Sequence, residues 1–209
     1  MLWRCSGLKR QPPGFIEPCI PTRASKPPVG PQWIHEIKHD GYRLMARKQG
    51  GRVRLFTRRG FDWTDRYPLI REAVAALPPA SATIDGEAVC CDAAGVAVFD
   101  KLHGRAHDDQ AFLYAFDVLE LDGEDWRPRP LADRKARLQQ LLGNPQAGLQ
   151  YSEHLEGDGA AIFAHACRLG FEGIISKHRE HPYRSGPSRA WLKTKNPAAP
   201  GVLRFEDRS

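Results

Sequence analysis

The sequence predicts an α+β fold built on largely antiparallel sheets. Three observations carry that prediction. Strand patterns outnumber helix patterns and come in runs broken by single helices, not in strict alternation. Gly50-Gly51 separates two alternating runs, a two-residue hairpin signal. Neither GxGxxG nor GxxxxGK(S/T) occurs, so any nucleotide chemistry would use neither a Rossmann nor a P-loop site.

The elements follow in order. Residues 1–31 hold Pro12, Pro13, Pro18, Pro21, Pro27, Pro28 and Pro31. Proline gives no amide donor and blocks regular ladders, so this stretch is expected to be an extended arm over the body, frayed at its start. From 33 to 60 the pattern is a meander of strands. Trp33-Ile34-His35-Glu36-Ile37 comes first; Tyr42, Leu44 and Ala46 then alternate with Arg43, Met45 and Arg47. Beyond the glycines Val53, Leu55 and Thr57 alternate with Arg52 and Arg54. Tyr67-Pro68 opens a helix with Ile70, Val74 and Leu77 on one face, stopped by Pro78-Pro79. Strands are expected over 82–91, 95–99 and 112–121. Residues 131–142 form a second amphipathic helix closed by Gly143. A strand near 149–153 leads to a third helix over 159–169, with Gly170 at its end. Strands 171–177 and 189–195 finish the sheets, and 196–209 read as a tail. The expected division is arm 1–31, one domain over 32–196, and tail 197–209.

At 209 residues the chain can bury a substantial core as one domain or as two small lobes. Hydrophobic residues make up 41% and charged residues 27%, a globular composition. The net charge is +6 and the pI about 9.2, a surplus that suits a polyanionic partner such as nucleic acid. Cys5, Cys19, Cys90, Cys91 and Cys167 include no CxxC pair, and an odd count fits no closed disulfide framework. They read as reduced thiols of an intracellular protein. No apolar run approaches the ~20 residues that span a bilayer, and Met1-Leu2-Trp3-Arg4-Cys5 lacks the long apolar region of a secretory signal. His103, His107 and Asp108, with Gly104, Arg105 and Asp109 around them, read as a polar solvent loop; a His pair without a third ligand at motif spacing is no metal site.

Six short segments at strand ends carry chemistry. They are Lys38-His39-Asp40-Gly41, Thr57-Arg58-Arg59-Gly60, Asp85-Gly86-Glu87, Phe116-Asp117-Val118-Leu119, Glu172-Gly173-Ile174-Ile175-Ser176-Lys177 and Trp191-Leu192-Lys193-Thr194-Lys195. Each alone is weak: Asp-Gly-Glu is commonly a turn, and Lys-x-Lys on a strand puts two lysines on one face. In this order they strongly resemble motifs I, Ia, III, IIIa, IV and V of the covalent nucleotidyltransferase superfamily, which comprises ATP-dependent DNA ligases, RNA ligases and mRNA capping enzymes. Within it the chain looks most like the ligase module of bacterial end-joining ligases. Asp40-Gly41-Tyr42-Arg43, 55–60 before Asp62-Trp63, 116–123, and Tyr183-Arg184-Ser185-Gly186 ahead of Trp191-Leu192-Lys193 point that way.

The resemblance implies an ATP-grasp-like adenylation domain, two largely antiparallel sheets flanked by helices with ATP between them. It implies DNA ligase activity in repair or recombination, with ATP as AMP donor, Mg²⁺ (or Mn²⁺) as metal, nicked double-stranded DNA as substrate, and a bacterial cytoplasmic, nucleoid-associated location. Lys38 would be the nucleophile that takes AMP. An unperturbed lysine is free amine only about once in a thousand at neutral pH, so neighbouring cations must help. Lys193 and Lys195 would lie against the α-phosphate. Glu87 and Glu172 would be the metal-side carboxylates, with charge that couples metal binding to activation of Lys38. Phe116 would stack on adenine and Glu36 accept from its exocyclic amine. Arg43 and Arg58 would grip the ribose and the nick phosphate, and Lys177 the phosphates or ribose.

Family ligases continue into an OB-fold domain whose basic residues orient the pyrophosphate. Only residues 196–209 follow the last motif, too few for a five-stranded barrel, so that domain is expected to be absent from the chain. Self-adenylation is then expected to suffer more than sealing of a pre-adenylated nick, and a separate OB-fold or end-joining partner could restore it. An RNA ligase and a turnover-deficient nucleotide- and nick-binding partner are the alternatives; covalent AMP on lysine separates the enzymes from the binder.

Overall fold

The computed structural model describes residues 11–144 and 146–199. In chain order the elements are β1 (Cys19–Arg23), β2 (Trp33–Ile37), β3 (Tyr42–Gln49), β4 (Arg52–Thr57), α1 (Pro68–Ala75), β5 (Ser81–Val89), α2 (Phe99–His103), β6 (Phe112–Leu121), β7 (Glu124–Asp125), α3 (Leu131–Leu142), β8 (Leu149–Tyr151), β9 (His154–Leu155), α4 (Gly159–Arg168), β10 (Gly173–His178) and β11 (Gly186–Lys195). They build two sheets. One runs β1-β11-β10-β2-β9; the other runs β4-β3-β5-β6-β7, with β8 beside β6. Pairing is antiparallel except for β1 with β11 and β8 with β6. The expected α+β architecture with two largely antiparallel sheets is the one observed.

Alternation divides each strand of the second sheet between two interiors. Leu44, Ala46, Val53 and Leu55 face a core closed by Ile70 and Val74 of α1 and Leu138 and Leu142 of α3. Met45, Phe56, Phe116 and Leu119 face the other way and meet Cys19, Ile34 and Trp191 of the first sheet. This second, smaller core lies between the sheets.

Three expectations are corrected. Residues 33–60 are not one meander: β2 pairs with β10 and β9, whereas β3 pairs with β4 and β5. The segment Lys38–Gly41 is therefore the crossover between sheets. Gly41 is needed there because a Cβ would stand 2.2 Å from the Ala88 carbonyl oxygen. Residues 95–99 make no strand. Ala97 forms one isolated bridge to Cys91, and Phe99 already opens α2. The proline-rich stretch is not ladder-free: Cys19–Arg23 is an edge strand on β11, with a register shift between Pro21 and Thr22 where proline has no donor. The expected fraying at the start and most of the expected tail lie outside the described residues.

The helix boundaries follow local chemistry. Pro68 occupies the first turn of α1. Asp158 caps α4 by accepting from the Ala160 amide at 2.9 Å. Gly143 ends α3 at φ +57. No helix among the described residues is long and apolar enough to cross a membrane.

Candidate active site

Lys38 leaves the end of β2 and is anchored by its own backbone, whose amide donates to the Gly173 carbonyl at 2.9 Å. His39 beside it is half-buried against Tyr114, with the rings stacked 4.2 Å apart, and meets Phe171 edge-on. Burial, helped by the Lys38 charge, lowers the His39 pKa to about 4, so the ring is a neutral packing surface near neutral pH. The crossover is thus held rigidly on both sides of the lysine.

The Lys38 ammonium is ion-paired with Glu172 Oε2, and Lys195 Nζ lies 3.1 Å from Glu172 Oε1. One carboxylate, 6% exposed, therefore bridges a lysine of the crossover and a lysine of β11. Lys193 sits two residues before Lys195 on the same face of β11. Its pKa is lowered by burial first and then by the charges of Lys195, Lys38 and Arg58. Arg58, in the turn after β4, thereby joins the same positive field.

On the opposing sheet, Arg43 makes a two-pronged ion pair with Asp85, Nε to Oδ1 at 2.8 Å and Nη2 to Oδ2 at 2.7 Å. Tyr183 also donates to Asp85 Oδ2 at 2.6 Å and itself accepts from the Cys19 amide at 2.9 Å. The Arg43 guanidinium stacks 4.8 Å from the Phe116 ring centre and 5.5 Å from that of Trp191. Glu87 lies one turn of the pleat along from Asp85. Burial first, then the carboxylates Glu172 and Asp85, raise its pKa to about 7, against the pull of Lys38 and Arg43. A half-buried carboxyl held so high beside a second one has the chemistry of a hard-cation donor pair.

The floor is a buried ionic triad. Glu36, 3% exposed, has Oε1 2.6 Å from Lys135 Nζ and Oε2 2.7 Å from Lys177 Nζ. Lys135 also donates to the Ser152 carbonyl at 3.0 Å. The Lys177 ammonium is thus held as a close ion pair by the Glu36 oxygen that Lys135 does not use. It lies 4.0 Å from the Phe116 ring centre and 4.1 Å from that of Trp191. Burial opposes the Glu36 charge, but the two ammonium groups outweigh it and hold the carboxyl below its ordinary range. Burial pulls Lys177 down to about 8, with Lys135 adding to the fall and Glu36 resisting it.

All ten residues singled out from the sequence, Glu36, Lys38, Arg43, Arg58, Glu87, Phe116, Glu172, Lys177, Lys193 and Lys195, thus fall in one connected set of contacts and fields. Asp85, Tyr183 and Trp191 lie in segments the sequence singles out but were given no role of their own, and Lys135 was not singled out at all. For Lys135 the signal was present. Leu131, Arg134, Lys135, Leu138 and Leu142 are the buried face of α3, so two charges sit where helical spacing calls for apolar residues. The His103 loop is used structurally: Arg66 donates to Asp108 at 2.8 Å, and His103 Nδ1 lies 3.2 Å from the Tyr42 hydroxyl.

Residues 23–195 match the family described as "ATP dependent DNA ligase domain". Over 194 residues the chain is 40% identical to the multifunctional non-homologous end joining protein LigD of Pseudomonas aeruginosa; the match covers 91% of this chain and 23% of that protein. Among solved structures it is similar to a mycobacterial DNA ligase D complexed with ATP and MES, at 36% identity and TM-score 0.75, covering 85% of this chain and 59% of that one. The ligase domain of Mycobacterium tuberculosis LigD is alike at 35% identity and TM-score 0.74, covering 85% and 60%.

Proposed function

The chain belongs to the ATP-dependent DNA ligase domain family, and from that premise we propose that it carries out adenylyl transfer through Lys38 and seals nicks in duplex DNA. The observation that carries the reading is the cluster of Lys38, Lys195 and Glu172, a nucleophile-type lysine bridged by one carboxylate to a second lysine at the mouth between two sheets.

In the first step the Lys38 ammonium gives up its proton to water, and Glu172 stays ionised. The freed amine forms a bond to the α-phosphorus of ATP, and the bond to the β-phosphate oxygen breaks to release pyrophosphate. Lys193 and Lys195 stabilise the charge on the α-phosphate oxygens, positioning and neutralisation being the main demands of phosphoryl transfer. In the second step a 5′-phosphate oxygen displaces the Lys38 nitrogen from the α-phosphorus, and Lys38 regains its proton. In the third the 3′-hydroxyl oxygen bonds to the 5′-phosphorus, the bond from that phosphorus to the AMP phosphate oxygen breaks, AMP leaves as the anion, and the hydroxyl proton passes to water. Phe116 stacks on adenine while Glu36 accepts from its exocyclic amine; Arg43 and Arg58 bind ribose and nick phosphate, and Lys177 reaches the nucleotide from below. Glu87 and Glu172 fit a Mg²⁺ or Mn²⁺ ion by donor type and by the raised pKa of Glu87. Such an ion supplies charge neutralisation at phosphate oxygens when bound. By analogy with LigD the setting is end-joining repair on cytoplasmic DNA, and the substrate contact is electrostatic, consistent with the net charge of +6. The chain spans about a quarter of the length of LigD.

The test is incubation with α-labelled ATP and Mg²⁺, followed by denaturation and, separately, by addition of nicked duplex. Label retained after denaturation and passed to the 5′-phosphate is the expected result. No label surviving denaturation at neutral or alkaline pH in the wild type, with ATP binding intact, would leave a nucleotide-binding module in place of an enzyme.

A further inference from the structure

The positive charge of the chain is not spread evenly. Residues 47–59 hold six of its 31 lysines and arginines and none of its 25 acids. The other 25 cations balance those acids, so this stretch carries the whole surplus of +6. It comprises the β3–β4 hairpin and the turn after it. One of the six serves the fold: Lys48 is buried, and its ammonium donates to the Ala75 and Leu77 carbonyls at the end of α1. The five arginines reach solvent; Arg52, Arg58 and Arg59 are exposed, and Arg47 and Arg54 are half-buried.

Arg54 stands directly opposite Arg47 in the hairpin, and Arg52 opposite Gln49. The next pair inward on that face, Met45 and Phe56, belongs to the core between the sheets, so the arginines begin where that core ends. Like charges directly opposite one another destabilise a strand pair, and the fold gains nothing from this arrangement. Among the described residues, Arg47 meets the Gln49 side chain at 3.0 Å and Gly14 of the arm, and Arg54 meets Asp62 at 3.1 Å in an exposed pair. Arg52 and Arg54 also line an open groove of about 710 Å³ together with Arg105. The acids of that groove, Asp62, Asp65 and Asp108, each already face an arginine: Arg54, Arg71 and Arg66. At the other end of β4 the turn is fixed by the Gly60 amide on the Thr57 carbonyl and the Thr57 amide on the Phe61 carbonyl, both at 2.8 Å. Arg58 in that turn is close enough for its charge to act on Lys193. The arginine face is thus continuous with the active site.

We propose that the outer face of the β3–β4 hairpin, with Arg47, Arg52 and Arg54, is a phosphate track that holds the backbone of duplex DNA away from the nick and leads it past Arg58 to the catalytic lysines. The inference rests on the nick-sealing reading of the site. The occupant follows from charge: a row of guanidinium groups about 7 Å apart along one strand, with its own acids already engaged, complements a polyanion of regular spacing. Such contacts position a duplex without reading its sequence.

The test is fluorescence anisotropy of a labelled nicked duplex with a 3′-dideoxy end, which cannot be sealed, and of the same duplex intact, over a range of salt. In Arg52→Gln, Arg54→Gln the slope of log affinity against log salt should fall by about two, one for each arginine, and binding at low salt should weaken about 10- to 100-fold on both duplexes. Its melting temperature and self-adenylation should stay at wild-type level, because neither arginine touches the nucleotide. Asp62→Asn keeps the Thr64 contacts through its amide oxygen, releases Arg54, and should bind more tightly. Arg137→Gln, Arg168→Gln removes the same charge from α3 and α4 and should leave the slope within about half a unit of wild type. A hairpin double variant with wild-type affinity and slope overturns the proposal. So does an equal loss in the α3–α4 pair, which would mean that net charge and not this face holds DNA, and so does weaker binding by Asp62→Asn. A wild type that takes up no AMP would sink the adenylyl-transfer reading alone, while the binding curves still decide the track.

Discussion

Arg134 and Lys135 are neighbours on one helix and both are buried, but they sit in opposite kinds of ionic cluster. Arg134 closes a complete set: two bonds of 2.8 Å to Asp117, and further donations to the Arg129 and His181 carbonyls at 2.6 and 3.1 Å. Charge cancels and the donors are used. The set built on Lys135 keeps a surplus positive charge, one carboxylate facing two ammonium groups. Buried charge is costly unless paired, so a balanced set is consistent with a role in holding the fold and an unbalanced one with a missing partner. The same distinction separates Asp85, saturated by Arg43 and Tyr183, from Glu87 two residues on, whose pKa is pushed up to about 7.

Substitutions should split along that line. The largest stability effect is expected for Arg134→Met, which strands Asp117 in the interior. A loss of about 3–5 kcal/mol in chemical denaturation is predicted, with activity falling only as folded protein is lost. Lys177→Met should do the reverse. Stability measured the same way should change by no more than about 1 kcal/mol, because the surplus buried charge leaves and Glu36 keeps Lys135. Adenylation should drop about 10- to 100-fold. If Lys177→Met unfolds the protein as readily as Arg134→Met does, the two clusters are not different in kind.

Glu87→Gln comes next. Folding raises this carboxyl from its ordinary 4.5 to about 7. The stability tied to its neutral form is therefore full below about pH 4.5 and lost as pH rises through about 7. Without metal, Glu87→Gln should be more stable than wild type near pH 8 by roughly 1–2 kcal/mol, allowing for its partial exposure. The gain should shrink towards pH 4.5, and Mg²⁺-dependent turnover should fall. A variant stabilised equally at both pH values would contradict the assignment. The smallest effect is expected at the exposed pair of Arg54 and Asp62, 3.1 Å apart. Asp62→Asn, read by thermal melting, should cost under about 1 kcal/mol, and less in high salt.

That the candidate site residues would gather in one place was legible in the sequence, because each sits in a short segment whose residue types and order carry meaning. The hairpin at Gly50-Gly51 and the helix over 131–142 were legible because turn residues and helical spacing are local properties. What local pattern could not show was which sheet a strand joins. Trp33–Ile37 and Tyr42–Gln49 alternate alike, and only the tertiary pairing separates them and turns Lys38–Gly41 into the crossover. The run at 95–99 was too short to tell a strand from the entrance to a helix. Proline hid the edge strand Cys19–Arg23, since its cost falls only on the one missing donor. Lys135 was hidden because a charge on an amphipathic helix is normally assigned to the wet face.

The central claim is that Lys38 carries the adenylate, set apart from Lys177, Lys193 and Lys195 around it. The direct measurement is to incubate the protein with ATP and Mg²⁺, digest it, and locate the modified lysine by mass spectrometry. The account predicts AMP on Lys38, and none on any lysine in Lys38→Ala or Lys38→Arg. AMP on Lys177, Lys193 or Lys195 in the wild type, or undiminished label in Lys38→Ala, would contradict it.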